Sequence, residues 1–392
     1  MKNERNNAAK DLIYLLSCAV NCEKPDKNII NQMDLQKVFE LSQIHSLTAV
    51  AAYALEKTIP LPDDYKEAKY KAVCRQTLLN VERARVLKEL EENKIWYLPL
   101  KGIVLKDYYP KSAMREMGDN DILCDSSKMP EIKALMEGLG FACTHYDKNH
   151  HDVYKKRPKL VFEMHRELFD QINHPEQYDY YNNIKDRLIK ETDNLYGYHM
   201  SNEDYYIYLI NHMFAHYRNS GTGLRSLIDI YVFYGKFGIE LDEKYLSAEL
   251  EKLNLAEFEH SIRELAVKAF TGGAMSEEEK KELEYFIGSG AQGTKENRMM
   301  QELGNEDSVS AKSKYLLSRV FPSRESLRKV HPLVYRHKIL YLLWITYRPL
   351  KGAVTRPKEI IDETKRIKKF KKKDSYGRYS RKQGACVKRS KS

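Results

Sequence analysis

Hydrophobic positions in the first 90 residues recur every three to four places, which is the period of an amphipathic helix. The first long example reads "LQKVFELSQIHSLTAVAAYALEK" and predicts one continuous helix. Two prolines in "TIPLPDDY" interrupt the pattern, and a second helix is predicted from about Asp64. The pattern therefore predicts an N-terminal helical region over residues 1–90.

The pattern changes near Ile95 to short apolar runs and strict alternation. Four runs are typical of β-strands, and they read "IWYLPL", "NDILCD", "DVYKK" and "LVFEMHREL". Two helical segments lie between them, "KGIVLKDYY" and "MPEIKALMEGLGF". Residues 91–200 are thus predicted to form an α+β core around a small sheet. The helical period returns over 201–350, so the predicted fold class is α+β, mostly helical overall.

The net charge of +10 is concentrated at the C-terminus. From Lys365 onward there are 13 Lys or Arg residues and one acid, Asp374, so the rest of the chain is close to neutral. The last region, 351–392, is predicted to be a basic, disordered tail. Nucleic acid is expected to bind only through this tail, because nucleic-acid grooves are usually basic. The segment 339–392 could instead contact an anionic membrane surface peripherally, or begin with a docking helix.

The six cysteines form no CxxC pair and have no histidine spacing typical of zinc. No apolar run approaches the roughly 18 residues of a membrane span. These features predict a cytoplasmic protein.

Two aspartates stand one residue apart in the second predicted strand. Asp119 and Asp121 therefore point to the same face of that strand. A third carboxylate, Glu163, lies on the strand "VFEMH". The "LKG" that ends the first strand opens a helix, so Lys101 and Gly102 would offer a positive charge and accessible amides to a phosphate. Three carboxylates beside such a turn predict a magnesium site, although a DxD pair alone is most often only solvated.

These motifs and their order resemble a known family. "LKG", "REMGDND" and "FEMH" are followed by "HMFAHYRNSGTGLRSLIDIY" and by "RVFPSRESLRK" at Arg319–Lys329. The set resembles the bacterial nucleotidyltransferase-like branch of the polymerase-β nucleotidyltransferase superfamily, over roughly residues 35–350. The resemblance implies a polymerase-β-type core, a small mixed sheet with helices, flanked by N- and C-terminal helical regions. It also implies transfer of an NMP group from an NTP to an unidentified acceptor, with release of pyrophosphate.

The resemblance assigns roles by position. Asp119 and Asp121 would bind Mg²⁺, with Mn²⁺ as an alternative ion. Glu163 matches the third carboxylate, which is either a metal ligand or the base for the acceptor group. The residues implied in nucleotide binding are Lys101, Gly102 and Arg115. Arg115 could instead simply pair with Asp119.

Polar residues of the helical half, with one from the sheet, are candidates for an acceptor pocket: His165, His212, His216, Arg225 and Asp229. His212 and His216 are one helical turn apart, so ordinary packing and a zinc site are alternatives. Arg225 and Asp229 have the same spacing and could form only a helix ion pair. His165 could be a packed strand residue.

Two other functions remain open alongside the transferase. A non-catalytic nucleotide- or partner-binding module could use the same fold, but the intact carboxylate trio argues against it. An RNA-directed transferase is favoured only by the basic tail, and the near-neutral folded body argues against it.

Overall fold

The computed structural model describes residues 2–291, 293–294 and 331–355, with positions 313, 317, 320–322, 324 and 327. Contacts divide the chain into two compact units. The first comprises Met1–Ala215 and Thr222–Gln292, and the second His216–Gly221 and Gly293–Ser392. The predicted basic tail lies outside the described residues from position 356 onward. Among the described residues, no helix is both long enough and apolar enough to cross a membrane.

The N-terminal part consists of α1 (Lys2–Val20), α2 (Lys27–Ile30), α3 (Leu35–His45), α4 (Thr48–Leu55) and α5 (Asp63–Glu92). The single helix predicted across α3 and α4 is wrong. Ser46 adopts a left-handed conformation with φ of 54°, and the Leu47 N–H donates to the Ser42 carbonyl at 2.9 Å, which ends α3. Almost every residue of α4 is buried, so its apolar run hides the break from a periodicity argument.

The remaining helices follow in chain order: α6 (Gly102–Leu105), α7 (Met129–Gly138), α8 (Pro175–Tyr180), α9 (Asn202–Asn219), α10 (Leu224–Phe237), α11 (Glu243–Lys252), α12 (Ala256–Thr271), α13 (Glu277–Ser289), α14 (Pro332–Arg336) and α15 (Lys338–Thr355). Aromatic side chains join α9 to α10, where Tyr206 stacks on Phe233 with ring centres 5.4 Å apart. This packing fixes α10, which carries two of the predicted site residues.

A five-stranded mixed sheet forms the centre of the first unit, with strands β1 (Tyr97–Pro99), β2 (Asn120–Cys124), β3 (Ala142–His145), β4 (His151–Lys156) and β5 (Leu160–His165). Their spatial order is β1-β2-β5-β4-β3, and only the β2–β5 pair is parallel. A separate two-stranded ladder pairs β6 (Ile189–Lys190) with β7 (Tyr198–His199). The mostly helical α+β class is confirmed. Strand β3 is not among the predicted strands, because its mainly exposed sequence "ACTH" lacks apolar alternation.

The two faces of the sheet differ in polarity. Ile122, Phe162 and Met164 are fully buried on one face and form a core with apolar residues of α5 and α7. Side chains alternate along each strand, so the neighbouring Asp121 and Glu163 project from the opposite face. The apolar face anchors the strands, and the polar face is left for chemistry.

Replacing Ile122 with alanine should lower the free energy of unfolding by about 2–5 kcal/mol, because it leaves a cavity in the core. A matched control is Ile189→Ala in β6, where the side chain is 47% exposed and the expected loss is below about 1 kcal/mol. Urea denaturation of both variants measures the difference. Equal losses at the two positions would contradict the assignment of the apolar face as the core.

Candidate active site

The parallel pairing of β2 with β5 gathers the polar side chains. Their register sets Asp121 beside Glu163 and Leu123 beside His165. Strand β4 then adds His151 opposite His165. Paired residues project to one face of a sheet. Accordingly, single ligating atoms of Asp121, Glu163 and His165 all lie within 4.8 Å of one another.

Asp121 is the most firmly held carboxylate of this face. It is only 5% exposed, and its Oδ1 lies 2.8 Å from Lys101 Nζ and 3.0 Å from His165 Nε2. Burial alone would raise the pKa of Asp121, but Lys101 and the His165 contact outweigh burial and hold that pKa well below its ordinary value. Because an ionised carboxylate only accepts hydrogen bonds, His165 donates from Nε2. Its buried Nδ1 has no hydrogen-bond partner among the described residues.

Glu163 and Asp119 resist ionisation, in contrast to Asp121. Burial, followed by the negative charge of Asp121, raises the pKa of Glu163 to about 8. The same two causes, in the same order, raise the pKa of Asp119. Asp119 lies immediately before β2, one residue outside the strand. Burial and the Asp121 charge thus favour the neutral forms of Glu163 and Asp119, and a bound cation would favour their ionised forms.

Lys101 occupies a strained turn that aims its ammonium at Asp121. Leu100 to Ile103 form a type II′ β-turn, in which the Ile103 N–H donates to the Leu100 carbonyl at 3.1 Å. Lys101 has φ of 48° and ψ of −120°, a conformation normally left to glycine. The Tyr205 hydroxyl holds the turn by donating to the Lys101 carbonyl at 2.8 Å. Burial would lower the pKa of Lys101, but Asp121 raises it overall, so the ammonium stays charged.

Gly102 lies buried directly after Lys101. A Cβ at this position would stand 3.1 Å from Cγ of Met117, so a larger residue would displace that side chain. Helix α6 contains only the residues Gly102–Leu105 before a 3₁₀ turn, Lys106–Tyr108. The helix predicted after Gly102 is therefore a single turn.

Arg115 forms a buried ion pair with Asp229. The Arg115 Nε lies 2.7 Å from Asp229 Oδ1, and the Tyr109 hydroxyl donates to the same oxygen at 2.7 Å. The pair ties α10 to the segment that leads into β2. The anionic partner of Arg115 is thus Asp229, where the sequence suggested Asp119 or a phosphate. The sequence pattern could not reveal this pairing, because it joins residues 114 positions apart.

Arg225, one turn before Asp229 on α10, is the less satisfied of the two arginines. Burial and the nearby Arg115 charge lower the pKa of Arg225 to about 10, while Asp229 and Asp119 oppose that change. Within the described residues its guanidinium makes no hydrogen bond, in contrast to that of Arg115. A partly exposed arginine near Asp119 is well placed to bind an anion.

His212 and His216 both lie on α9, one turn apart as predicted. The His212 ring stands 6.1 Å from the Tyr208 ring, within the aromatic packing of that helix. Neither histidine belongs to a group of described side chains spaced to hold a metal ion.

Two histidines that the sequence prediction omitted lie beside the site. His151 is the first residue of β4, and its Nε2 is 3.6 Å from Glu163 Oε2. His150 precedes it, and Nε2 of His150 is 3.2 Å from Nδ1 of His151. The sequence signal was the pair "HH" at the start of a strand that neighbours the Glu163 strand.

One protein family matches the part of the chain that contains this site. Residues 31–271 match a family described as uncharacterised nucleotidyltransferases, and the match covers more than half of the chain. The chain belongs to this family. The matched range contains the three carboxylates, Lys101 and Arg225. Comparisons with curated proteins and with solved structures found no match.

The raised pKa of Glu163 predicts a pH-dependent gain in stability for Glu163→Gln in metal-free buffer. Above its ordinary pKa of 4.5, the unfolded chain releases the Glu163 proton while the folded chain keeps it up to about pH 8. Wild type should therefore lose stability over this window as the pH rises. The variant should gain about 2–4 kcal/mol relative to wild type at pH 9 compared with pH 4.

Urea denaturation from pH 4 to pH 9 measures this gain. Glu67→Gln, at an exposed position of α5, serves as the matched control and should run parallel to wild type. A Glu163→Gln curve that also runs parallel to wild type would contradict the strained ionisation of Glu163.

Proposed function

We propose that this nucleotidyltransferase family member is a metal-dependent enzyme that moves an NMP group from an NTP to an acceptor and releases pyrophosphate. The observation that carries the proposal is the cluster of Asp119, Asp121 and Glu163, in which two carboxylates have raised pKa values. Such a cluster is costly to a fold unless a cation uses it. Lys101 and Arg225 beside the cluster supply positive charge for a triphosphate.

The donor set fits a hard divalent cation. Carboxylate oxygens are the ligands that Mg²⁺ prefers, and it commonly shares them with substrate phosphates. Mn²⁺ accepts the same oxygens. Asp119 and Asp121 would hold the ion, with Asp121 oriented by the His165 hydrogen bond. When bound, the ion would stabilise the negative charge that develops on the transferred phosphoryl group.

The protein's own residues have distinct roles in the proposed transfer. An acceptor hydroxyl attacks the α-phosphorus and forms a new P–O bond, while the bond from that phosphorus to the bridging oxygen breaks and pyrophosphate leaves. Glu163 takes the hydroxyl proton in its ionised form, which a bound cation would favour. Lys101 and Arg225 bind phosphate oxygens, and Gly102 lets the backbone of the turn approach them.

Asp121→Asn should weaken Mg²⁺-dependent NTP binding by at least about 10-fold and transfer by a further large factor, because the ion acts chiefly on the transition state. Glu163→Gln should lower kcat more than NTP affinity, because the proposal gives Glu163 the acceptor proton. Isothermal titration of NTP with and without Mg²⁺, beside a pyrophosphate-release assay, measures both variants.

Asp193→Asn, at an exposed loop position, is the matched control and should match wild type in both assays. Unchanged Mg²⁺-dependent NTP binding in folded Asp121→Asn would remove the site assignment. Tight NTP binding without turnover in wild type, with any acceptor source, would favour the non-catalytic binding module. An equal fall in affinity and kcat for Glu163→Gln would make Glu163 a metal ligand.

A cavity of about 400 Å³ offers a place for the acceptor. Its walls include Leu123, the register partner of His165, and Arg166, the next residue along the chain. Four aromatic side chains also line it: Trp96, Phe169, Tyr178 and Tyr181. A cavity of this size takes a small molecule, and aromatic walls beside charged groups suit a ring that carries polar substituents. We propose a small ring-containing metabolite with a hydroxyl group as the acceptor. His212, His216, Arg225 and Asp229 do not line this cavity.

Trp96→Ala should reduce transfer to the acceptor several-fold and leave Mg²⁺-dependent NTP affinity unchanged, because Trp96 lines only the proposed acceptor side. The assay incubates α-³²P-labelled NTP with a cell extract and follows the label into fractions below and above about 1 kDa. Trp344→Ala changes the chain's other tryptophan and serves as the control. Label that enters only RNA or protein would contradict the small-molecule acceptor and favour a macromolecular one.

A further inference from the structure

Three imidazoles form a cluster along one edge of the carboxylate site. His151 and His165 are paired across β4 and β5, and His150 directly precedes the strand. Their ring centres are 4.6, 4.9 and 5.5 Å apart. One nitrogen from each ring lies within 4.8 Å of the other two. Three neutral nitrogen donors thus converge where a sheet normally places packing side chains.

The hydrogen bonds within the histidine cluster do not satisfy all of its ring nitrogens. Nδ1 of His151 faces Nε2 of His150 at 3.2 Å, so only one of these two nitrogens needs to carry a proton. His165 donates to Asp121 from Nε2, which places its free lone pair on Nδ1. That atom is buried in a residue only 2% exposed and has no hydrogen-bond partner among the described residues. A histidine retained for packing alone would normally have such an atom satisfied.

The ligand chemistry differs from that of the aspartate pair. Imidazole nitrogen suits zinc-type transition ions, whereas Mg²⁺ prefers oxygen. Three histidines leave a fourth position, which a water or a substrate atom can fill. Glu163 Oε2 lies 3.6 Å from His151 Nε2 and 3.7 Å from His165 Nε2, the nitrogen that already donates to Asp121. A tetrahedral zinc site needs its nitrogens roughly 3.4 Å apart, which small ring rotations can reach from the observed spacing. The neighbouring Lys101 charge is balanced by Asp121 at 2.8 Å.

The cluster also adjoins one wall of the cavity through the backbone. The Arg166 N–H donates to the His150 carbonyl at 2.9 Å, and Arg166 is part of the cavity wall.

We infer that His150, His151 and His165 bind one zinc-type divalent ion, with the fourth position open to a water or a substrate atom, separately from any ion held by Asp119 and Asp121. The inference does not rest on the proposed transferase reaction, because the ligand geometry is independent of it. The inference adds a nitrogen-bound zinc-type ion to the oxygen-bound Mg²⁺ proposed for the aspartate pair.

Cobalt(II) is the probe, because a nitrogen-rich tetrahedral site gives it strong visible absorption and an all-oxygen octahedral site does not. The full chain is stripped with a chelator and titrated with Co²⁺ in excess Mg²⁺. We expect one strongly absorbing Co²⁺ per chain, displaced by Zn²⁺ and not by Mg²⁺. His150→Gln and His151→Gln should each weaken Co²⁺ affinity by at least about 10-fold.

His260→Gln, at an exposed position of α12, is the matched control and should bind Co²⁺ as wild type does. A thermal melt of each variant separates a lost ligand from a lost fold, and His165→Gln is left out because that residue is buried. Three results would overturn the inference: no stoichiometric strong absorption, loss of binding in Asp121→Asn with His150→Gln and His151→Gln unaffected, or loss only in the His212→Gln, His216→Gln double variant. NTP binding in the presence of Mg²⁺ is measured in a separate titration. The Co²⁺ result can therefore be interpreted even if the transferase proposal fails.

Discussion

The parallel pairing of β2 with β5 is the constraint on which the site depends. It joins strands that are separated in the chain by α7 and by the two strands β3 and β4, and its register alone decides that Asp121 faces Glu163. A shift by one residue would turn both carboxylates into the apolar core and bring Ile122 and Met164 to the surface. The burial of those two side chains therefore fixes the position of the charges on the other face. The β2–β5 register therefore determines both the packing of the core and the positions of the carboxylates.

The charged side chains on the polar face of the sheet are only partly neutralised by their neighbours. Asp121 is ionised because Lys101 and His165 contact it, and its charge then raises the pKa of Glu163 and Asp119. On the α10 side, Arg115 is neutralised by Asp229, which leaves Arg225 as the arginine with capacity to bind an anion. The carboxylates of the sheet and Arg225 of α10 therefore both remain only partly neutralised. That arrangement suits a substrate that brings a cation and a chain of phosphates together.

Local pattern was enough to predict the elements that build the site. A short apolar run located β2, and an alternating run located β5. The pattern also placed Asp119 on the same strand as Asp121, but Asp119 lies one residue before β2. Local pattern failed where tertiary contacts decide. The partner of Arg115 is set by how α10 packs against the segment before β2, and no local spacing records it. His150 and His151 lie beside His165 and Glu163 only because β4 pairs with β5. The break between α3 and α4 was hidden because α4 is apolar and almost entirely buried.

The type II′ turn at Lys101 has a consequence for the order in which ligands assemble. In this turn a lysine adopts a backbone conformation that glycine adopts more easily, and its ammonium already contacts Oδ1 of Asp121, a carboxylate proposed to bind the ion. In the proposed enzyme, a bare ion would have to displace that ammonium and leave it without a counter-charge, which would weaken binding of the ion alone. A phosphate chain would offer the displaced ammonium a new anion, so the proposal implies positive cooperativity between metal and nucleotide. Under the proposed function, the Lys101 ammonium would thus compete with the ion and favour an ion that arrives together with its nucleotide.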